Sequence, residues 1–168
     1  MRIYLVGMMG SGKTTIGKKL AKRLLYNFYD LDELIEKREG ITISTIFEQK
    51  GEEYFRHIEQ QVLRETFKFG NTVISTGGGT PCFFDNINEI NRNGVSIYLN
   101  TDIDLLMSRL VSGIKHRPLL KNKTNEELKE YLENLLSQRI LHYKKAHLIF
   151  NAKDITTDKL LEVLVSKS

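Results

Sequence analysis

The sequence predicts an α/β fold with three layers, α/β/α, around a five-stranded parallel sheet. Two observations predict it. Short apolar runs alternate with longer stretches of helical periodicity along the chain, and strand–helix alternation sets parallel strands between two layers of helices. The 168 residues, 40% hydrophobic and 27% charged, have the size and balance of a single domain with one well-buried core.

Each element carries its own signal. The apolar run 3–6 is a strand, and the segment 13–25 is a helix, with Ile16, Leu20 and Leu24 on one face. A brief strand ends near Phe28-Tyr29. Helical stretches follow at 31–39, 44–50 and 52–69 before the next strand, 72–75. Several helices between two strands mark residues 31–69 as an inserted helical unit for a second substrate. Strands at 95–99 and 147–150 and helices at 102–112, 125–145 and 156–166 complete the sheet and its covers. Thr124-Asn125-Glu126-Glu127 reads as a capping box at the start of the long helix. The expected layout is a core of 1–30, 70–111 and 124–168, the helical insertion 31–69, and a lid at about 112–124. That last segment is polar and basic, with Gly and Pro. A lid closing over phosphates and a solvated surface loop both fit it.

Composition narrows the function. A net charge of +4 is spread among similar numbers of acidic and basic residues, with no basic stripe of the kind nucleic acid requires. No apolar run approaches the roughly 20 residues that span a bilayer, and no signal-peptide pattern opens the chain. No nucleic-acid or membrane partner is expected, and the simplest address is the cytoplasm. Cys82, the single cysteine, reads as a small buried hydrophobe.

The strongest motif is Gly7-Met8-Met9-Gly10-Ser11-Gly12-Lys13-Thr14, which fits G-x-x-x-x-G-K-[ST] without departure, between a strand and a helix. Its glycines let backbone N–H groups close around a polyphosphate at a helix N-terminus that already favours negative charge. Lys13 would reach the terminal phosphates, and the Thr14 hydroxyl would join a magnesium shell. Nucleotide binding follows.

Other residues suggest an acceptor. Asp30 and Asp32 stand at the carboxyl end of the second strand, where open α/β sheets place ligands. One could serve magnesium and the other a substrate hydroxyl, unless Asp32 merely caps the next helix. No carboxylate ends the strand 72–75, which shifts metal duty toward Asp30. Arg56 and Glu59 are three apart on one helix, as a surface ion pair or as a carboxylate clamp with its orienting partner. Thr76-Gly77-Gly78-Gly79 follows the third strand. Three glycines there fit close approach of a ligand to bare backbone, or a sharp turn. Arg139 continues the stripe of Leu128, Leu132 and Leu135, and an inward-facing arginine needs an anion, either a substrate carboxylate or a protein one.

Together these motifs resemble the shikimate kinase family closely. The phosphate loop, Asp30-x-Asp32, Gly51-Glu52 with Phe55-Arg56-x-x-Glu59, and Thr76-Gly77-Gly78-Gly79 carry the likeness. Arg117-Pro118-Leu119-Leu120 and Arg139-x-x-x-Tyr143 extend it over nearly the whole chain. The resemblance implies a commonly monomeric enzyme that phosphorylates the 3-hydroxyl of shikimate with ATP. It implies that Gly10, Ser11, Gly12, Lys13, Thr14 and Thr15 hold the ATP phosphates, with Thr14 on Mg2+ and Asp30 behind a metal-bound water. It assigns shikimate to Asp32, Arg56, Gly77, Gly78, Gly79 and Arg139, and the transferring phosphate to Arg117 from the lid. Arg109 resembles the family's adenine-side arginine. Lys13, Asp32 and Arg117 form the expected catalytic set. Two rivals are another small-molecule kinase with the same loop, such as one acting on gluconate, and a nucleotide-binding regulator without catalysis.

Overall fold

Both faces of the central strands are covered, so their sequences run apolar without the alternation of a half-exposed sheet. In the computed structural model, which describes residues 1–113 and 123–166, five strands form one parallel sheet. They are β1 (Arg2–Val6), β2 (Asn27–Asp30), β3 (Thr72–Ser75), β4 (Val95–Asn100) and β5 (Leu148–Asn151), in the order β2-β3-β1-β4-β5. Ile3, Leu5, Val73, Ile97 and Leu99 point to one face, where they meet helices α1 (Lys13–Leu24) and α7 (Thr157–Ser166) through Leu20, Leu160 and Leu164. Tyr4 and Ile74 point to the other, against α2 (Leu31–Glu39) and α3 (Ile43–Thr66). Val6 and Tyr98 pack with α5 (Ile103–Gly113) and α6 (Asn125–Tyr143). The three layers and five parallel strands agree with the sequence reading.

Register sets up the site. Asp30 pairs with Ser75 and Leu5 with Ser75 across adjacent strands, so the ends of β1, β2 and β3 lie side by side. The phosphate loop, the Asp30–Asp32 segment and the glycine turn therefore leave the sheet at one edge.

Several boundaries differ from expectation for identifiable reasons. A 3₁₀ turn at Thr80–Cys82 and a helix, α4 (Asn86–Asn93), occupy a stretch with no predicted element. In α4 the only apolar residues are the buried Ile87 and Ile90, among six asparagine or charged ones, too few for a periodic signal. Gly51, at φ 82° and ψ 170°, breaks α3 into two arms, matching the two helices predicted there. Ser112 and Gly113 end α5, and Thr124 caps α6 through a full capping box with Glu127. Residues 114–122, including Arg117, lie outside the described residues.

Gly17 shows how closely α1 lies on the sheet. A β-carbon there would stand 2.7 Å from the Phe28 ring and 3.0 Å from Leu5. Alanine would gain about 1 kcal/mol of helix propensity, but overpacking of a filled core costs about 1–3 kcal/mol. Gly17→Ala is therefore expected to lower stability by up to about 2 kcal/mol, read as a lower urea midpoint at unchanged m-value.

Candidate active site

The phosphate loop owes its shape to three glycines in conformations that other residues rarely adopt: Gly7 at φ 145°, Gly10 at 77° and Gly12 at 94°. Lys13 begins α1, and its ammonium donates to the carbonyls of Gly7 and Met8, each at 2.8 Å. The loop and the strand ends enclose a cavity of about 430 Å³ lined by Gly10, Gly12, Lys13, Thr14 and Thr15 on one side and by Asp30, Asp32, Ser75 and Gly77 on the other. Ser11 is buried beneath the loop and does not line it. Arg109, from α5, lies against the outside of the loop, donating to the carbonyls of Ser11 at 2.9 Å and Gly10 at 3.2 Å.

Asp30 is the helix cap, not Asp32. Its Oδ1 accepts from the Asp32 N–H at 3.1 Å, and its Oδ2 accepts from the Thr14 hydroxyl at 2.9 Å. The Ser75 hydroxyl is 3.4 Å from that of Thr14. These are hard oxygen donors at the mouth of a phosphate loop. Among the described residues no cluster of three or more His, Cys, Asp or Glu forms a metal cage. Such a set fits Mg2+, which takes one or two protein oxygens and completes its shell from phosphates and water.

Asp32, freed from capping, stands in the first turn of α2 between the phosphate loop and the glycine turn. Burial, with Asp30 and Glu59 nearby, pushes its carboxyl up to about 7, although Lys13 opposes the rise.

A second cavity, of about 710 Å³, adjoins the first and shares Met9, Asp32, Gly77 and Gly78 with it. Arg56 and Arg139 both line it. Arg56 is only 8% exposed and Glu59 only 1%, so this is a buried ion pair (2.9 Å) rather than a surface one. Glu59 also accepts from the Thr80 hydroxyl at 2.6 Å, and the Arg56 guanidinium lies 3.9 Å from the Phe83 ring centre. Ile43, Phe47, Phe55, Tyr131 and Leu135 add apolar surface to its lining.

The glycine triplet joins these groups. A β-carbon at Gly77 would fall 2.9 Å from Asp32 Oδ1 and 3.1 Å from Glu59 Oε1. At Gly78 it would fall 3.2 Å from Arg139 Nη1, and at Gly79 2.6 Å from Arg56 Nη1. The side-chain groups of Asp32, Arg139 and Arg56 thus each reach the backbone at a different glycine.

Sequence reasoning missed part of this lining. Cys82, expected as a buried hydrophobe, is half-buried, packs against the core and lines the second cavity. Its thiol is pushed up to about 11 by burial, against the opposing charges of Arg139 and Arg56. Phe83, Thr80 and Ser75 had no pattern to mark them. Tyr143 was visible only as the end of Arg139-x-x-x-Tyr143.

A phosphate loop opening on a second, guanidinium-lined cavity defines a P-loop kinase that acts on a small acceptor. The shikimate kinase family model matches residues 9–167. A shikimate kinase of Azobacteroides pseudotrichonymphae is 47% identical over 167 residues, 99% of this chain and 98% of its own. The crystal structure of shikimate kinase from Bacteroides thetaiotaomicron superposes with a TM-score of 0.95 at 40% identity, covering 98% of both chains. That of the Acinetobacter baumannii enzyme in complex with shikimate gives 0.88 at 37%, covering 99% of this chain and 94% of that one. The chain belongs to the shikimate kinase family. It is an ATP-dependent kinase that uses Mg2+.

The raised affinity of Asp32 for a proton has a consequence for stability. The folded protein holds this proton at pH values where the unfolded chain, with its carboxyl near 3.8, has lost it. The Asp32 carboxyl therefore weakens the fold progressively as pH rises through that interval to about 7. Asp32→Asn is expected to stabilise the protein by about 1–3 kcal/mol at pH 8 and by less at pH 5. Melting temperatures of both proteins across that range check the sign.

Proposed function

We propose that the chain transfers the γ-phosphoryl group of ATP to the 3-hydroxyl of shikimate, giving shikimate 3-phosphate and ADP on the route to chorismate and the aromatic amino acids. The observation that carries this reading is the pair of adjoining cavities, with Asp32 and the Gly77–Gly78 backbone on their common wall. Donor and acceptor then meet at that wall. Every group assigned below comes from one chain, which suits a monomer, and ATP supply suits the cytoplasm.

The N–H groups of Gly10 to Thr15 and the Lys13 ammonium take the phosphates. Arg109, fixed against the loop's carbonyls, borders the nucleotide on its base side. Thr14 would ligate Mg2+ directly and Asp30 through water; when bound, the ion offsets charge on the β- and γ-phosphates. Arg56, already balanced by Glu59, and Arg139 take the acceptor's carboxylate. Asp32 and the Gly77–Gly79 backbone take its hydroxyls. On sequence alone, Arg117 is assigned to the transferring phosphoryl group.

Phosphoryl transfer through a loose transition state asks mainly for positioning and charge neutralisation. The acceptor hydroxyl oxygen forms a bond to the γ-phosphorus as the bond to the β–γ bridging oxygen breaks and ADP leaves. The hydroxyl proton passes to the Asp32 carboxylate. A carboxyl near 7 is matched to that duty at neutral pH, because a base is most effective when its pKa lies close to the working pH.

Three measurements test the assignment. ADP release from MgATP should rise strongly with shikimate and stay at background with gluconate or no acceptor; equal rates in all arms would overturn the reading. For the free enzyme, kcat/KM for shikimate should climb with pH and level off above about 7, since only ionised Asp32 accepts the proton. Arg139→Ala should lower kcat/KM for shikimate by roughly 100-fold or more, because a charged bidentate partner is lost. ATP affinity, read by calorimetry, should change less than about twofold.

A further inference from the structure

Tyr143 ends α6 one helical turn after Arg139 and is fully buried. Its ring stacks on Tyr98 with centroids 5.1 Å apart. Its hydroxyl donates to the Gly78 carbonyl at 2.6 Å and lies 3.6 Å from the Met8 sulfur. One phenol thus touches the middle of the glycine turn and the start of the phosphate loop. Burial raises the phenol far above its ordinary value, so it remains a donor at every working pH.

We infer that Tyr143 is a positioning residue for the acceptor site, with its hydroxyl fixing the Gly78–Gly79 peptide against which the acceptor is held. The inference rests on the acceptor reading above. A peptide unit is planar and trans, so its C=O and N–H point in opposite directions. Holding the Gly78 carbonyl therefore sets the direction of the Gly79 N–H. Among the described residues that N–H donates to no other group. Glycines are the residues least able to hold a backbone direction by themselves, and three in succession need an external anchor. The same carbonyl belongs to the residue whose α-carbon faces Arg139, with a built β-carbon 3.2 Å from Nη1. Loss of the anchor would therefore loosen the turn beside both the acceptor hydroxyls and the arginine.

The test is Tyr143→Phe, which keeps the aromatic stack and deletes the hydroxyl. Tyr98→Phe is the control, because its hydroxyl donates to Asn100 at 3.2 Å and does not touch the turn. Tyr143→Phe is expected to raise KM for shikimate roughly tenfold, the effect of one buried acceptor left without its donor, with KM for ATP within about twofold. Tyr98→Phe should leave KM for shikimate unchanged, with melting temperatures of the two variants similar. A wild-type KM for shikimate in Tyr143→Phe, or a proportionate rise of both KM values, overturns the inference. Arg139→Ala separates the two failures. If it lowers kcat/KM for shikimate roughly 100-fold while Tyr143→Phe keeps the wild-type KM, the acceptor reading stands and the role of Tyr143 falls. If Arg139→Ala leaves shikimate use intact, the acceptor reading itself falls.

Discussion

The active site depends on the absence of three β-carbons. Where β3 ends, Gly77, Gly78 and Gly79 leave room for Asp32, Arg139 and Arg56 respectively to press against bare backbone. At Gly79 the space is taken by a guanidinium held in place by Glu59 and the Phe83 ring, so a larger residue could not be accommodated by a small side-chain shift. This close packing lets one acidic and two basic side chains converge on a single glycine turn. The turn's conformational freedom is the counterpart of that packing. It is restrained from outside by the Tyr143 hydroxyl on Gly78 and by the Thr80–Cys82 turn, whose Cys82 N–H donates to the Gly79 carbonyl at 2.9 Å.

Charge is distributed unevenly around this wall. Glu59 is matched by Arg56 and the Thr80 hydroxyl, and Asp30 by Thr14 and the Asp32 amide. Asp32 is desolvated by burial, with acidic neighbours in Asp30, Glu59 and Glu36, and among the described residues Lys13 opposes them. The result is a carboxyl that resists ionisation in the folded protein. Such local destabilisation at a reactive group is a common cost of function. In the proposed mechanism it places the group's proton affinity where transfer from a hydroxyl at neutral pH requires it.

Much of the framework was legible in the sequence because it is local. The apolar strands, the α1 stripe of Leu20 and Leu24, the break at Gly51 and the Thr124–Glu127 capping box each depend on neighbours within a few residues. Helix α4 was not legible, since an eight-residue, asparagine-rich segment is made helical by the docking of Ile87 and Ile90 on the sheet and not by its own propensity. Arg56 and Glu59 had the spacing of a surface pair. Only their burial turned them into a fixed clamp, and burial is set by what packs over them. Cys82 packs against the core as a partly buried hydrophobe, and its thiol also borders a cavity that no local pattern announces.

The sequence by itself determined the donor side. Eight consecutive residues build the phosphate loop, their N–H groups converge through the glycines' own dihedral angles, and the strand and helix on either side complete the motif. The proposed acceptor side was decided by tertiary structure. Its groups come from α2, α3, the turn after β3 and α6, far apart in the chain, and their residue types could be singled out but not aimed. The aim comes from the pairing of Asp30 with Ser75, the buried Arg56–Glu59 pair and the seating of α6 on Gly78 through Tyr143. Interactions between distant segments leave no fixed spacing in a sequence, because their geometry exists only once the sheet has formed.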